Sequence, residues 1–384
     1  MSATITAGKL VERSLEVIQD GQASSGAFLA SPTFEQYRFS WFRDGAFVAE
    51  AVDLHGRLDS SARFHAWAAR IIAGAAEGMT RAIATALAGD EPDPGDYLDC
   101  RYAAGGGSGA GVGLHDEGWP TFQLDGPAIW LWSLVHHLQH GGTLTADVRE
   151  VVPLTARYLA ALWQTPCFDA WEEFGDRVHT STVAAIAAGL EAAVVLEPTL
   201  ARDRLLRAAR SDIAARLTHG AGPYTKWEGS DEVDASLLWM VAPYGLLAPD
   251  DVRFAATLDA IESGLIRDGH GVHRYASDTF YGGGAWPVLT AAHGRTLLRR
   301  GAVGDRQRAA ASLAWIESTA DEDGLLPEQV ADHALAPDRV AAWNDEWGPC
   351  AQPLLWSHAA YLCLRAELAT GHEDGTSTVP AVPR

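Results

Sequence analysis

Apolar residues recur at three- and four-residue spacing along most of this chain. The segments 7–19, 45–54, 61–87, 127–140, 146–163, 180–195, 200–217, 234–247, 250–265, 285–299, 304–319 and 353–370 all carry that spacing. Each predicts an α-helix with one buried face. Gly, Pro, Asp and Ser gather in the gaps, where the chain must turn. Alternating runs bounded by hairpin turns are few, so strands are expected to be rare. The segments accommodate about a dozen helices of ordinary length.

The connections have a rhythm of their own. Segments dense in aromatic and polar residues fall near 37–44, 119–126, 169–179, 227–236, 273–286 and 328–347, roughly one per helix pair. Six helical hairpins closed into a ring gather alternate loops at one end. An open solenoid would string them along a surface instead. The expected architecture is therefore all-α, a closed α/α toroid of six hairpins. One catalytic domain over 1–370 is expected, followed by a polar, Pro-containing tail at 371–384 that reads as disordered. The run Ala104-Gly105-Gly106-Gly107-Ser108-Gly109 reads as a flexible loop, and the stretch 100–118 as a candidate lid. No Gly-Lys-Ser/Thr follows it, so it is not a phosphate-binding loop.

Composition narrows the class. The chain has 384 residues, 47% hydrophobic and 21% charged, which suits a globular protein with a large core. Acidic residues outnumber basic ones by 50 to 29, a net charge of −21. That field repels phosphate backbones and argues against a nucleic-acid partner. No apolar run reaches membrane-spanning length. The Ala-rich stretch 183–195 is interrupted by Gly189 and Glu191 and reads as a buried helix. Cys100, Cys167, Cys350 and Cys363 form no C-x-x-C pair and are expected to be free, buried thiols of a reducing compartment. The first residues lack a basic region followed by an apolar run, so the cytoplasm is the expected location.

Two acidic segments stand out from this background. Glu172 and Glu173 follow Asp169 and Trp171; Glu328 follows Pro327 and precedes Gln329. Two carboxylates facing one another across a small pocket are what glycoside hydrolysis needs, one protonated and one ionised. An adjacent indole such as Trp171 lowers the local dielectric and favours a protonated carboxyl. One of the two glutamates then suits the acid, and the other suits sugar hydroxyls. Either pair could also be an ordinary helix start. Pro327 holds the chain before Glu328 extended and presents it from a rigid loop.

Other loops repeat one recipe of aromatics, amides and carboxylates. Tyr37 and Trp41 offer flat apolar faces beside Arg43 and Asp44, a donor fork next to an acceptor that suits vicinal hydroxyls. Trp119, Gln123 and Asp125 form a second such set. Arg274, Asp278, Tyr281 and Trp286 form a third, and Trp343 to Trp347 supply indoles for a pocket mouth. Any one could be packing; their joint recurrence in the connections points to a carbohydrate site. His136, His137 and His140 have metal-ligand spacing but no partner carboxylate motif, so they read as core or surface histidines and no metal or cofactor is expected. No nucleophile elbow or Rossmann fingerprint is present.

In order, these segments resemble glycoside hydrolase family 15, the glucoamylase family. The resemblance rests on Trp41-Phe42-Arg43-Asp44, on Trp119 through Pro127, on Asp169 through Glu173, on Arg274 through Trp286, and on Pro327-Glu328-Gln329. The closing Leu354-Leu355-Trp356-Ser357-His358-Ala359 is also similar. It runs from about residue 20 to 370. It implies an (α/α)6 barrel and an inverting mechanism, with Glu172 as general acid and Glu328 as general base, about 6.5–9.5 Å apart. It places Tyr37, Arg43, Asp44, Trp119, Asp125, Glu173, Arg274 and Trp286 around the terminal glucose. Bacterial members usually carry a β-sandwich before the barrel. Here the Trp-Phe-Arg-Asp element comes only ~40 residues in, too early for one. The chain is thus similar to compact isomaltose-cleaving members that release β-D-glucose from small α-1,6-glucosides. Trehalose cleavage, α-1,4 glucoamylase action, phosphorolysis and non-catalytic sugar binding are the alternatives. A small oligosaccharide is the expected partner, with no nucleic acid and no membrane; the sequence leaves the oligomeric state open, a monomer being plausible.

Overall fold

The computed structural model describes residues 7–109, 111, 119–267, 269 and 271–370. The expected tail at 371–384 and most of the second half of the candidate lid lie outside them. The described residues carry α1 (Ala7–Asp20), α2 (Phe42–Leu54), α3 (Leu58–Gly74), α4 (Ala76–Ala88), α5 (Asp125–Gln139), α6 (Ala146–Leu162), α7 (Thr180–Leu196), α8 (Arg204–Thr218), α9 (Val252–Gly264), α10 (Pro287–Arg300), α11 (Asp305–Ser318), α12 (Val340–Trp347) and α13 (Leu355–Thr370). Strands are as rare as the pattern predicts. β1 (Ser40–Trp41) pairs antiparallel with β2 (Arg101–Tyr102), and β3 (Ile266–Arg267) with β4 (Gly271–Val272).

The chain divides into two compact units. One comprises Gly21–Ala30 and Glu35–Gly220; the other comprises Met1–Asp20, Ser31–Phe34 and Ala221–Arg384. In the first unit, α5 packs on α2 and α7, while α3, α6 and α8 back them. The two layers differ in sequence for a physical reason. Every residue of α2 from Phe42 to Asp53 is buried, so it must be small, apolar or satisfied by partners on all sides. α8 buries only Leu206, Ala209, Ile213 and Leu217, one stripe at helical spacing, and gives the rest to solvent. In the second unit, α10 packs on α11, α13 and a 3-10 turn at Ala235–Met240, and α1 packs on α13. α9 buries the stripe Phe254, Thr257, Leu258 and Ile261.

Side-chain caps start several helices. Thr145 accepts from Val148 N, Asp203 from Leu205 N and Leu206 N, and Asp251 from Arg253 N and Phe254 N. Each satisfies amides that the helix itself leaves unpaired, worth about 1 kcal/mol.

Four expectations are corrected. The segment 61–87 is two helices, bent by 61° at the break after Gly74; glycine lowers helix propensity at the joint. The segment 234–247 is helical only as the short 3-10 turn, because Pro243 has no N–H to continue it and Gly245 turns left-handed at φ +63. A helix at 340–347 forms in a stretch read as loop. The Gly-rich run 104–109 is a tied turn: Ala103 N donates to Gly107 O at 2.8 Å, Gly109 N to Arg101 O at 3.1 Å, and Ser108 Oγ to Asp99.

Candidate active site

In the first unit a polar chain runs through the expected residues. Asp125 opens α5 and Arg43 lies in the first turn of α2. Arg43 Nη1 donates to Gln123 Oε1 at 2.7 Å and to Asp125 Oδ2 at 3.3 Å. The Gln123 amide turns its other end to Glu172, Nε2 to Oε1 at 3.0 Å. Trp41 Nε1 donates to the same Oε1 at 2.7 Å. The Cys100 thiol lies 3.7 Å from it. Oε2 of Glu172 has no hydrogen-bond partner among the described residues, so one oxygen is held and the other is free to work.

The backbone under Glu172 is strained. Its φ is +66, and Phe174, two residues on, has φ +52. Side chains with a Cβ rarely adopt that region, and such strain concentrates at functional sites. Asp169 over-determines it. Its Oδ1 accepts from Trp171 N and Glu173 N at 2.9 Å, its carbonyl accepts from Glu172 N at 3.0 Å, and its N–H donates to Glu173 O at 3.1 Å. Trp171 and Glu173 thus share the turn that aims Glu172.

Aromatic rings wall this part of the site. Tyr37 and Trp119 meet Trp41 edge-on, with centroids 5.8 and 6.0 Å apart. Arg101, on β2 and fully buried, lies 3.6 Å over the Trp119 ring and donates to the carbonyls of Gln36 and Gly109. Burial pushes it down to about 10. Asp44 pairs with Arg43 Nε at 3.4 Å, yet burial outweighs that cation and raises its carboxyl to about 6. Burial lowers the Arg43 guanidinium and the neighbouring carboxylates raise it, with a net upward shift.

In the second unit Arg274 is gripped by Asp278, Nε to Oδ2 at 2.7 Å and Nη2 to Oδ1 at 2.5 Å. This bidentate pair is buried at 2% and 1% exposure, where a lone charge could not survive. The guanidinium lies 5.1 Å from the Phe280 ring and 5.5 Å from Trp286. Tyr281 has φ +49, donates to Gly348 O at 3.0 Å and stacks on Trp343 at 5.5 Å. Burial raises its phenol, with the Cys350 and Glu328 charges adding to the shift. Behind Arg274, the buried Lys226 lies 3.4 Å from Asp234 and over the Tyr275 ring. Glu232 accepts from Ser277 N and Oγ, which ties the 224–236 loop to the 273–286 loop.

Glu328 is 4% exposed. Its N–H donates to Ala351 O at 2.9 Å, and the Cys350 thiol donates to its Oε2 at 3.3 Å. Gly284 N donates to Gln329 Oε1 at 2.7 Å, and a Cβ on Gly284 would come within 2.4 Å of Val330 O. That close approach is one reason the site loop carries glycine there.

Each unit therefore gathers its own share of the expected residues. Tyr37, Trp41, Arg43, Asp44, Trp119, Gln123, Asp125, Trp171, Glu172 and Glu173 fall in one; Arg274, Tyr281, Trp286 and Glu328 fall in the other. Sequence reading singled out no role for Asp169, Arg101, Cys100 or Cys350, and grouped Asp278 with Arg274 without pairing them. Asp278 had a signal, its i+4 spacing from Arg274; the two thiols had none. The three candidate histidines do not share one donor set. His136 and His137 both approach the Asp53 carboxylate through Nδ1, at 3.8 and 2.9 Å, a partner the sequence spacing did not show, while His140 stacks on His136. Asp53 and His137 also approach buried His65. Both ring nitrogens of His65, and Nε2 of His137, lack a hydrogen-bond partner among the described residues. A metal-ligating imidazole normally has a second-nitrogen acceptor; His137 has one in Asp53, through Nδ1, and His65 has none among the described residues.

A carboxylate aimed by a short strained turn, indole walls and buried guanidinium–carboxylate pairs, set in the loops between helices and at helix starts, define a helical glycoside hydrolase. The family model described as Glycosyl hydrolases family 15 matches residues 10–347, and the chain belongs to that family. Its fold class is the all-α (α/α)6 barrel. An isomaltose glucohydrolase of Kribbella flavida is 39% identical over 94% of this chain and 92% of its own length. An uncharacterized glycosyl hydrolase of Methanocaldococcus jannaschii is 26% identical over 88% of this chain and 52% of its own. A solved glycosidase in complex with glucose is 38% identical with a TM-score of 0.85, covering 94% of this chain and 96% of that one. A bacterial glucoamylase complexed with acarbose shares the fold at a TM-score of 0.68 and 20% identity, over 94% of this chain and 56% of that one.

Proposed function

We propose that this enzyme is an inverting exo-glucohydrolase that releases β-D-glucose from isomaltose and short isomalto-oligosaccharides. The observation that carries the substrate is the 39% identity, across 94% of this chain, to a protein named isomaltose glucohydrolase. Glu172 is the general acid: its Oε1 is held by Trp41 and Gln123, which leaves Oε2 to deliver a proton to the glycosidic oxygen. Glu328 is the general base that activates water. Arg43, Asp44, Gln123, Asp125, Glu173 and Arg274 bind hydroxyls of the terminal glucose, and Tyr37, Trp41, Trp119, Trp171, Tyr281 and Trp286 supply apolar faces. The four free cysteines favour a cytoplasmic enzyme acting on imported sugars.

The test is hydrolysis of isomaltose, maltose, panose and trehalose at equal concentration, with the first anomer of glucose read by NMR. Isomaltose should be fastest and β-glucose should appear first. α-Glucose as first product would overturn inversion, and faster trehalose or maltose cleavage would overturn the linkage. Glu172→Gln and Glu328→Ala should each lose about 10²–10⁴-fold in kcat.

A further inference from the structure

We propose that His358 is the positioning residue of Glu328, acting through the backbone two residues before it. The inference rests on the reading of Glu328 as general base. The segment 325–330 is gripped along its length. Gln352 Nε2 donates to Leu325 O at 2.7 Å, and Leu354 N to Leu326 O at 3.0 Å. Ser357 Oγ donates to Pro327 O at 2.7 Å. On its other side, Val330 exchanges hydrogen bonds with Ala285, at 2.8 and 3.1 Å. Most of these bonds join one loop to another, and loops can shift together.

His358 is different. It stands in α13, is fully buried, and its Nε2 accepts from Leu326 N at 3.0 Å. Its Nδ1 lies 2.9 Å from Ser14 Oγ on α1. An amide can only donate, so Nε2 must carry the lone pair. The ring is then neutral, with its proton on Nδ1 and donated to Ser14. Burial keeps it so, pushing the imidazole down to about 3. One side chain thus references the Glu328 loop to two packed helices at once. The closing Trp356-Ser357-His358 element gains a role: Ser357 and His358 hold the carbonyl and the amide that flank the turn into Glu328. Neither is assigned a contact with sugar.

The geometry separates positioning from bulk stability by substitution. Glutamine can offer an acceptor near the place of Nε2; phenylalanine cannot, and it strands the Leu326 amide. His358→Phe should lose about 100-fold in kcat, the scale of a misplaced catalytic group, with KM for isomaltose changed by less than about threefold. His358→Gln should recover most of that loss, within about fivefold of the wild type. All variants are assayed well below their melting temperatures, so that kcat refers to folded enzyme, and Glu328→Ala is run beside them. A wild-type kcat in His358→Phe with Glu328→Ala inactive would overturn the positioning role and leave the base intact. Activity in Glu328→Ala would overturn both. If His358→Phe does not fold, His358→Asn decides, because its shorter amide cannot reach the Leu326 N–H: it should lose kcat by about tenfold with KM held, and an unchanged kcat overturns the proposal.

Discussion

Trp41 Nε1 donates to Glu172 Oε1 at 2.7 Å across a separation of 131 residues. The indole belongs to the first site loop, where Trp41 is the residue before α2 and pairs with Arg101 in the β1–β2 ladder. Strand pairing, a helix start and a catalytic carboxylate are thereby fixed to one side chain. Gln123 reaches the same oxygen at 3.0 Å, so Glu172 is held by two donors from two different helix entrances.

Trp41→Phe keeps the apolar wall and deletes the donor. Glu172 is then held by Gln123 and the weak, longer contact from the Cys100 thiol. The expected result is a fall in kcat of about 10- to 100-fold with a smaller change in KM. Gln123→Leu should behave likewise, and the double variant should lose less than the product of the two, because both act on one group. Steady-state kinetics on isomaltose check this. Strictly multiplicative losses would mean that the two donors do not share a task.

Asp44 gives a pH signature. Burial holds it at about 6, above the about 3.9 of an unfolded aspartate. The native state therefore binds the extra proton between pH 4 and 6, and stability from this group falls as pH rises through that window. The wild type should gain on Asp44→Asn as pH falls from 7 to 4, by at most about 2–3 kcal/mol. Melting temperatures of both proteins at pH 4.5, 5.5 and 7 measure it. A difference that shrinks toward acid would contradict the buried, protonated carboxyl.

How much of this was legible follows from what local sequence encodes. Helical periodicity is a local signal, and it located nearly every long helix, because α8 and α9 each need only one apolar stripe. It failed at 234–247, where apolar spacing continues past Pro243 although the missing N–H ends the helix. It also failed at 340–347, which is too short to show a period. The polar loops were legible as chemistry because Arg, Trp and Asp cluster there against expectation. Their pairings were not. Trp171 adjoins Glu172 in sequence, but Trp41 is the indole that donates to its carboxylate. Asp169 bends the chain under Glu172 with backbone bonds that no residue pattern announces. Cys100 and Cys350 reach the two glutamates only through tertiary packing.

The thiols should be silent in the native enzyme. Burial raises Cys167 to about 12 and lifts Cys100 and Cys350 well above the ordinary thiol range, with Glu172 and Glu328 as further causes. Thiolate is the reactive form. A disulfide-exchange reagent at neutral pH should therefore label these three slowly and leave activity intact. In denaturant the count should reach the four free cysteines of the chain. Rapid native labelling with loss of activity would show that at least one thiol is exposed and ionised.

Arg274 and Asp278 should be expensive to separate. Asp278→Ala leaves a buried guanidinium without its fork partner, and a loss of about 3–5 kcal/mol is expected. Replacing both with apolar residues of similar size removes the stranded charge, so the double variant should be more stable than Asp278→Ala alone. Its activity should nevertheless be lost, because the guanidinium is assigned to the sugar. Thermal melts and glucose release separate the two effects. A double variant less stable than both singles would mean that Arg274 is held by something other than Asp278.

Gly284 tests the precision demanded behind Glu328. A Cβ there would come within 2.4 Å of Val330 O and 2.7 Å of Gln329 Oε1, and backbone cannot yield as a side-chain tip can. Gly284→Ala must push the 328–330 segment or break its bond to Gln329. Overpacking of this kind costs about 1–3 kcal/mol, and the displaced residue is the proposed base. Gly264, the last residue of α9, has nothing within 4 Å of its added Cβ. Gly264→Ala should therefore be neutral or stabilising by up to about 1 kcal/mol, with kcat unchanged. Melting temperature and kcat on the pair of variants give the comparison. If Gly284→Ala matches Gly264→Ala in both, the segment behind Glu328 tolerates displacement, and its tight packing has no bearing on turnover.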